Sequence, residues 1–342
     1  MILERVNLED VDWQHLDGFA DRSVYQTREW LAFIAQSQQA EPVVAEVRDG
    51  ARAVGWFTGL VARRFGMRLL GSPLPGWTTG WMGFNLEPGV SRREATEALP
   101  DFAFGPLRCI HLEFRDRNLT LDDVVALGYE HTPWRGLEVD LRPAEEEIFG
   151  RMKSRCRTSI RRAEREGLVI EEARGIEFAD ECYAQMEDVF ARQSLVPPYG
   201  PERLRTLIRE VEPTGRLLLL RARAPDGAAA ATGIFAGLNR SAHAVALTGL
   251  REYRKLNPNE ALMWHAMRVL RQRGIEALDL GGFVDYKAKY GGEEVRLAFM
   301  RKSRWTALAR LRNLAASAFE AQQRLRGRLR SGDPSRARDD RE

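Results

Sequence analysis

The feature that most constrains the fold is an internal repeat of a strand–turn–strand unit. Asp49-Gly50 is followed by the run 55–60, Asp226-Gly227 is followed by the run 233–238, and both runs read Gly-x-Phe-x-Gly-Leu at a separation of 178 residues. In both places a turn dipeptide separates an apolar run from a Gly-containing run, which predicts a β-hairpin. Each hairpin follows a helical pattern and precedes another strand-like segment. The chain therefore predicts two copies of one α/β unit.

Residues 141–152 carry the boundary between the two copies. Pro143 ends a strand, and three glutamates at 145–147 stand where acidic side chains stabilise the first turn of a helix. The chain therefore divides into a first lobe at 1–144 and a second lobe at 145–302.

The C-terminal residues predict a basic amphipathic helix over 303–330 and a disordered tail over 331–342. Residues 301–330 contain nine basic residues and one acidic residue, and the tail has nothing more apolar than one alanine. Such a helix either packs against a lobe or makes a peripheral contact with an anionic membrane, and the sequence leaves both open. The apolar stripe of the helix consists of Trp305, Leu308, Leu311, Ala315 and Phe319.

Composition is that of a globular protein with room for two ordinary domains, since 342 residues are 44% hydrophobic and 30% charged. No run approaches the ~18 apolar residues of a membrane span, and residues 1–5 carry charges where a signal peptide needs an apolar core. Cys109, Cys156 and Cys182 lie far apart and form no CxxC, so they predict reduced thiols. We expect a cytoplasmic protein without a metal site, because the histidines also lack metal-ligand spacing.

Positive charge is concentrated in two segments although the net charge is only +3. Residues 151–168 have seven basic and two acidic residues, and the C-terminal segment is more basic still. These segments are either docking sites for an anion or solvated helix faces. The candidate phosphate-binding residues are Lys153, Arg155, Arg157 and Arg161.

Three motifs in the second half resemble the FemABX family. Residues 152–168 resemble the opening of that family's second lobe, and residues 256–264 resemble the start of its last long helix. Residues 279–282 with 286–292 resemble its closing strand and its aromatic–Lys–x–x–aromatic–Gly loop. The first lobe fits more loosely through residues 25–30.

The resemblance implies an α/β (α+β) protein of two tandem GNAT-like lobes, each a mixed, mostly antiparallel sheet flanked by helices. It also implies transfer of an aminoacyl group from aminoacyl-tRNA to an amine, often on a peptidoglycan precursor. Relatives known as GNAT or BioF2-like acetyltransferases share the second lobe without a settled donor. The resemblance therefore specifies the reaction, acyl transfer, better than it specifies the acyl donor.

The family motif makes Lys287 the first candidate catalytic residue. The matching lysine of the family is thought to stabilise the acyl-transfer centre, and an ammonium ~3 Å from a developing oxyanion lowers that barrier in a dry site. Lys289 is its rival two residues on. Asp279 and Asp285 are the nearest carboxylates that could accept a proton from the attacking ammonium. For Asp279, a structural hydrogen bond at the end of a strand is an equally good interpretation.

Further candidates come from positions where relatives contact the acceptor or form the walls of the site. Arg192 and Tyr199 fall where relatives contact the acceptor's phosphate and peptide, although a stiff linker would also explain the prolines beside Tyr199. The remaining substrate-binding candidates are Asn257, Asn259, Tyr286, Lys289 and Tyr290.

The segment 251–259 bears on the acyl donor. GNAT enzymes that use acyl-CoA hold the pyrophosphate on a glycine-rich loop at a helix N-terminus, where backbone N–H groups reach the phosphates. Residues 251–259 contain no glycine, and Pro258 lacks an N–H. The sequence therefore favours aminoacyl-tRNA as a co-substrate, with no bound cofactor and direct attack by the amine.

Two alternatives remain open at this point. One is an acyl-CoA- or acyl-carrier-dependent N-acyltransferase of GNAT type. The other is a non-catalytic GNAT-like protein that binds RNA, or binds a membrane through residues 303–330.

Overall fold

The computed structural model describes residues 1–192 and 195–307, and within them thirteen strands form one mixed sheet flanked by nine α-helices. The strands are β1 (Ile2–Val6), β2 (Ala40–Asp49), β3 (Arg52–Arg64), β4 (Met67–Ser72), β5 (Gly83–Leu86), β6 (His111–Phe114), β7 (Glu130–Asp140), β8 (Val169–Ala173), β9 (Leu217–Arg223), β10 (Ala229–Leu238), β11 (Ser241–Gly249), β12 (Ala277–Gly282) and β13 (Glu293–Ser303). The α-helices are α1 (Trp13–Asp17), α2 (Arg28–Gln38), α3 (Arg92–Phe104), α4 (Leu121–Ala126), α5 (Glu145–Arg151), α6 (Ser154–Arg165), α7 (Glu177–Arg192), α8 (Pro201–Val211) and α9 (Pro258–Gln272).

Both predicted hairpins are present, and the predicted mixed α/β class is confirmed. β2 and β3 pair antiparallel around Asp49-Gly50, and β9 and β10 pair antiparallel around Asp226-Gly227. Gly50 and Gly227 have φ of 57° and 86°, the left-handed region that these turns require and that glycine adopts without a steric penalty. The first hairpin lies between α2 and β4, and the second lies between α8 and β11, as the repeat predicts.

The last strand joins the two halves into one sheet. The strand order is β1-β2-β3-β4-β6-β13-β7-β12-β11-β10-β9-β8, with β5 paired to β3. β13 pairs antiparallel with β6 on one side and with β7 on the other, and β7 pairs antiparallel with β12. The predicted boundary at 144/145 falls between β7 and α5. In sequence β7 precedes this boundary, yet in the sheet it lies between β13 and β12, which both follow the boundary. The domain limits themselves stay predictions.

Helices of both halves pack together in one core cluster. One core cluster joins Trp30 and Leu31 of α2 to Leu204 and Leu207 of α8, all of them buried. A second cluster lies between α3 and the first-half strands, and a third lies between α6, α9 and the second-half strands. The helices α2 and α8 occupy the same place in the two repeats, and they pack against each other.

The C-terminal prediction needs one correction. β13 continues to Ser303 because residues 300–303 pair with β6, so the predicted helix 303–330 cannot begin at 303. Trp305 is exposed, with the Arg304 guanidinium 5.3 Å from its ring centroid. Leu308, Leu311, Ala315, Phe319 and the predicted tail lie outside the described residues. In the part of the chain that the structure describes, no helix has the length and apolar character needed to cross a membrane.

Candidate active site

The site lies where two neighbouring strands of the second half separate. β11 and β12 pair in parallel from Ser241/Ala277 to His243/Asp279. The next part of β11 contains an irregularity, because Ala244 and Ala246 face consecutive residues of β10 and leave Val245 as an extra residue. A bulge of this kind bends its strand. The gap beside it opens into a cavity.

The cavity has a volume of about 600 Å³ and lies between the two halves of the chain. The second half contributes residues of β11, β12 and β13. The first half contributes Tyr25, the loop 74–80, Glu113 and Arg115 at the end of β6, and residues 132–134 of β7. Neither half encloses this space alone.

Asp279 is the predicted catalytic residue that lies in the cavity wall. Its Oδ1 accepts a 2.6 Å hydrogen bond from the Gly281 N–H, and its Oδ2 lies 3.4 Å from Nδ1 of His243. Burial raises the pKa of the Asp279 carboxyl, but the contacts with His243, the Gly281 N–H and the charge of Arg117 outweigh burial and leave this pKa below its usual range. Asp279 is therefore a carboxylate at neutral pH.

His243 and Tyr25 complete a buried polar cluster around this carboxylate. The Tyr25 ring lies over the His243 imidazole at 4.2 Å between centroids. Nε2 of His243 is buried and has no hydrogen-bond partner among the described residues. A Cβ at Gly80 would lie 3.1 Å from the Tyr25 ring and 3.7 Å from Oδ2 of Asp279, so the glycine lets this loop close over the cluster. Burial, followed by the charge of Asp279, raises the pKa of the Tyr25 phenol well above its ordinary value.

Lys287 lies behind this wall and does not line the cavity. It belongs to a 3-10 turn, Asp285–Tyr290, that follows β12. Its Nζ donates to the carbonyl oxygens of Leu280 at 2.6 Å and Gly282 at 3.4 Å, the residues on either side of Gly281. Burial lowers the pKa of the Lys287 ammonium, and Asp279 opposes that shift. The ammonium thus holds the end of β12 in place, with a glycine between it and the cavity.

The other candidates of the same turn have different surroundings. Lys289 forms a 2.7 Å ion pair with Glu260 in the first turn of α9, and its Nζ lies 5.0 Å from the centroid of the Tyr290 ring. Tyr290 is buried in the core of the second half, whereas Asp285 and Tyr286 are exposed. None of these four lines the cavity.

Arg192 and Tyr199 lie near the other end of β11. Arg192 donates to the carbonyl oxygen of Gly249 at 2.8 Å and to the carboxylate of Asp188 one turn earlier in α7. Tyr199 packs against the central core, and the Arg203 guanidinium lies 4.9 Å from its ring centroid. Both candidates therefore make contacts within the protein, outside the cavity lining.

The segment 251–259 forms a 3-10 turn, Arg251–Leu256, followed by α9. Asn257 adopts a left-handed conformation with φ of 54° just before the helix, and its Nδ2 donates to the Lys255 carbonyl at 3.1 Å. Oδ1 of Asn259 is buried without a hydrogen-bond partner among the described residues. Glu260 places a carboxylate in the first turn, where a bound phosphate would otherwise gain from the helix dipole.

The four basic candidates lie on or beside α6. Lys153, Arg155 and Arg161 are exposed, and the Arg161 guanidinium lies 5.3 Å from the centroid of the Phe149 ring. Arg157 differs from them because its Nη1 donates to the carbonyl oxygens of Gly150 and Met152. Its guanidinium is thus engaged by backbone, and the exposed three are better placed to meet an anion.

Sequence reasoning missed His243, Tyr25 and Arg115 as site residues. His243 lies 36 positions before Asp279, and only the parallel pairing of β11 with β12 brings them together. Tyr25 and Arg115 come from the first half. Of these three residues, only Tyr25 could have been found from the sequence, because it is the first residue of the segment 25–30 that loosely resembles the FemABX family.

The three cysteines are buried and unpaired. In the described ranges, no group of three or more histidine, cysteine, aspartate or glutamate side chains is placed to hold a metal ion.

Comparison with known proteins gives the class of the molecule. Residues 150–294 match the family described as acetyltransferase (GNAT) domain. No curated protein matches the sequence. Among solved structures, FemX has a TM-score of 0.70 at 12% identity, over 87% of this chain and 97% of that one.

Two further structures share the fold. The C-terminal domain of a putative lysylphosphatidylglycerol synthetase from Agrobacterium fabrum has a TM-score of 0.53 at 11% identity, over 90% of this chain and 96% of that one. A tandem GNAT protein from the clavulanic acid biosynthesis pathway has a TM-score of 0.50 at 15% identity, over 88% and 98%. The predicted resemblance is confirmed in two parts: residues 150–294 match the acetyltransferase (GNAT) domain family, and the chain shares the fold of FemX over most of its length.

Proposed function

We propose that the protein is an N-acyltransferase of FemABX type that transfers an aminoacyl group from an aminoacyl-tRNA ester to an amine. The observation that carries the proposal is the interlobe cavity whose wall contains the Asp279 carboxylate and its partner His243. A buried carboxylate in a cavity is a binding site for the ammonium form of an acceptor. The GNAT family domain supplies the reaction class.

The chemistry follows from the groups in the wall. The acceptor ammonium binds Asp279 and loses a proton to the Asp279–His243 pair, which frees the nitrogen lone pair. The lone pair attacks the ester carbonyl, a C–N bond forms, and negative charge develops on the carbonyl oxygen. Collapse of this intermediate breaks the ester C–O bond, the attacking nitrogen gives up a second proton, and the leaving ribose oxygen takes up a proton and becomes a hydroxyl, while the proton taken up first by the Asp279–His243 pair returns to solvent. The Lys287 ammonium favours the oxyanion through its charge and fixes the peptide groups on both sides of Gly281.

The start of α9 supports a donor other than acyl-CoA. A pyrophosphate at this helix would meet Glu260 in the first turn, Pro258 without an N–H, and a preceding 3-10 turn without glycine. The exposed basic residues of α6 are suited to a phosphate backbone, as a tRNA donor or a nucleotide-linked acceptor would supply.

An acyl-CoA donor is the second candidate, because the family match is to an acetyltransferase domain. Thermal shift measurements separate the two. For the tRNA donor, millimolar CoA or acetyl-CoA leaves the melting temperature nearly unchanged, whereas binding at a hundredfold excess over Kd would add about 2.7 kcal/mol and a clear shift. A CoA-dependent rise would select the acyl-CoA reaction.

The direct test is transfer of radiolabel to an amine from charged tRNA, from acyl-CoA, or from neither. We expect transfer from charged tRNA, and a loss of at least about a hundredfold in Asp279→Asn. Asp285→Asn is the matched control, because Asp285 is an exposed carboxylate outside the cavity. Activity that survives in Asp279→Asn, or transfer from neither donor, would refute the proposal.

A further inference from the structure

Arg115 is a buried cation of the cavity wall that has no carboxylate partner within ion-pair distance among the described residues. It follows β6 and is 8% exposed. Its Nη1 donates to the Gly80 carbonyl oxygen at 2.6 Å, and its Nε is buried without a hydrogen-bond partner in the described ranges. A buried guanidinium that makes few of its five possible hydrogen bonds is costly for the folded protein, and an anion would remove that cost.

Aromatic rings fix the direction in which Arg115 can bind. The guanidinium carbon lies 4.7 Å from the ring centroids of both Trp134 on β7 and Phe299 on β13. Stacking of this kind occupies the faces of a guanidinium and leaves its edge, with the N–H groups, for a planar or tetrahedral anion. All three residues line the cavity.

The cavity thus carries a carboxylate and a cation as separate features. Asp279 raises the pKa of the Arg115 guanidinium electrostatically, but burial is the larger effect, and the net result is a pKa of about 10. Two other charged residues of the wall have partners, since Glu113 bonds to His111 at 3.0 Å and Arg301 lies 3.6 Å from Glu130. Asp279 bonds to His243 and a backbone N–H, and Arg115 bonds to a backbone carbonyl, so within the described residues neither is paired with an arginine, a lysine or a carboxylate.

We infer that Arg115 is the binding residue for an anionic group, a carboxylate or a phosphate, on the acceptor amine. The acceptor then binds with its ammonium at Asp279 and its anion at the edge of Arg115. The place of the ammonium rests on the proposed function, whereas the anion site rests on Arg115 and its surroundings alone. The substrate class is an amine that carries a negative charge at the far end of a short chain.

Arg203 provides a matched control for a purely structural role. Its Nη2 donates to the carbonyl oxygen of Gly76 at 2.8 Å, in the same loop that Arg115 holds at Gly80. It also stacks on an aromatic ring, Tyr199, and its Nε is likewise buried without a partner among the described residues. Arg203 does not line the cavity. If Arg115 only held the loop, the two substitutions would have similar effects.

The test is calorimetric binding of three probe series to the full chain. The probes are ω-amino carboxylates from glycine to 6-aminohexanoate, the aminoalkyl phosphates of matching length, and the n-alkylamines without an anion. We expect at least one anionic probe to bind the wild-type protein about tenfold or more tightly than its alkylamine. The better of the two anionic series identifies the anion.

The variants then assign this preference to a residue. In Arg115→Gln the preference falls to about one while alkylamine affinity is kept, and Arg203→Gln keeps the wild-type preference. Should Arg115→Gln fail to fold by circular dichroism, Arg115→Lys is expected to retain a reduced preference, because it keeps the charge and loses the fork. Equal affinities for charged and uncharged probes, no binding by any probe, or a preference that persists in Arg115→Gln would each overturn the inference.

The test distinguishes failure of the inference from failure of the proposed function. If the ammonium binds at Asp279, Asp279→Asn weakens the binding of all three probe series and leaves the preference for the anionic probes intact. A protein that prefers anionic amines through Arg115 but transfers no acyl group would refute the transferase proposal and retain the anion site.

Discussion

Lys287 and Lys289 lie two positions apart in one turn, yet they have unrelated partners. Lys287 bonds to two backbone carbonyl oxygens at the end of β12, whereas Lys289 pairs with Glu260 on α9. The family motif selects Lys287, and no contact in the structure favours Lys289 at the cavity. Because the turn is a 3-10 helix and not a strand, alternate residues do not share a face, which the sequence alone left open.

Lys287→Ala is expected to lower the turnover rate by on the order of a hundredfold, with little change in substrate binding, because it removes the ammonium charge behind Gly281 and the hydrogen bonds that hold the end of β12. Lys289→Ala is expected to act on stability, at about 1 kcal/mol, because it breaks a partly buried ion pair. Steady-state kinetics and urea unfolding of both variants separate rate from stability. Equal, small rate losses would mean that neither ammonium takes part in catalysis, and a collapse in Lys289→Ala alone would identify the other lysine.

The three thiols are expected to be unreactive in the folded protein. Burial raises the pKa of Cys109 and of Cys156 to about 11, and it also raises the pKa of Cys182. A raised pKa reduces the reactive thiolate fraction at pH 8 below that of an ordinary thiol. Iodoacetamide followed by mass spectrometry should therefore label none of them until urea unfolds the chain, when all three react. Rapid labelling of any one in the native protein would contradict its burial.

At the scale of elements, the sequence predicted what is encoded locally. The two hairpins were predictable because Asp-Gly turn chemistry and flanking apolar runs lie within a few residues of each other. The His243–Asp279 pair and the insertion of β13 were not, because both depend on strand pairing between distant segments. The predicted helix start at 303 failed for the same reason, since pairing with β6 extends β13 through residues that also fit a helix.

The 3-10 turn that carries Lys287 ends at Gly291, which adopts a left-handed conformation. Gly291 has φ of 79°, and a Cβ there would lie 2.9 Å from the backbone carbon of Arg151 at the end of α5. Gly291→Ala is therefore expected to destabilise the protein by about 3 kcal/mol, from left-handed strain together with the clash. Gly274 has φ of 82° and open space around it, so Gly274→Ala should cost only about 1 kcal/mol. Urea unfolding of the two variants measures the difference, and equal losses would disprove the close contact.

At the scale of the whole molecule, the sheet predicts cooperative unfolding. β13 and β7 carry the hydrogen bonding from the first half to the second, and α2 of the first half packs against α8 of the second. The cavity needs both halves. The sequence predicted two lobes from the repeat but gave no sign that their sheets are continuous.

We therefore expect one thermal transition, with circular dichroism and tryptophan fluorescence giving coincident midpoints. The isolated segment 145–342 should fail to fold, because it lacks β7 and leaves β12 and β13 without their shared partner. Its control is the segment 128–342, which includes β7. Two separated transitions in the full chain, or a stable segment 145–342, would show that the halves are independent domains.

The position of β13 also sets the order in which the molecule can be completed during synthesis. A ribosome makes residues 1–292 before it makes any of β13. Until β13 is made, β6 and β7 each have one edge without its pairing strand. Open edges of this kind pair readily with other chains. Phe299, one wall of the Arg115 site, arrives at the same late moment. A nascent or prematurely terminated chain is thus prone to aggregate and unable to bind its substrate, and both conditions end when the same strand is inserted.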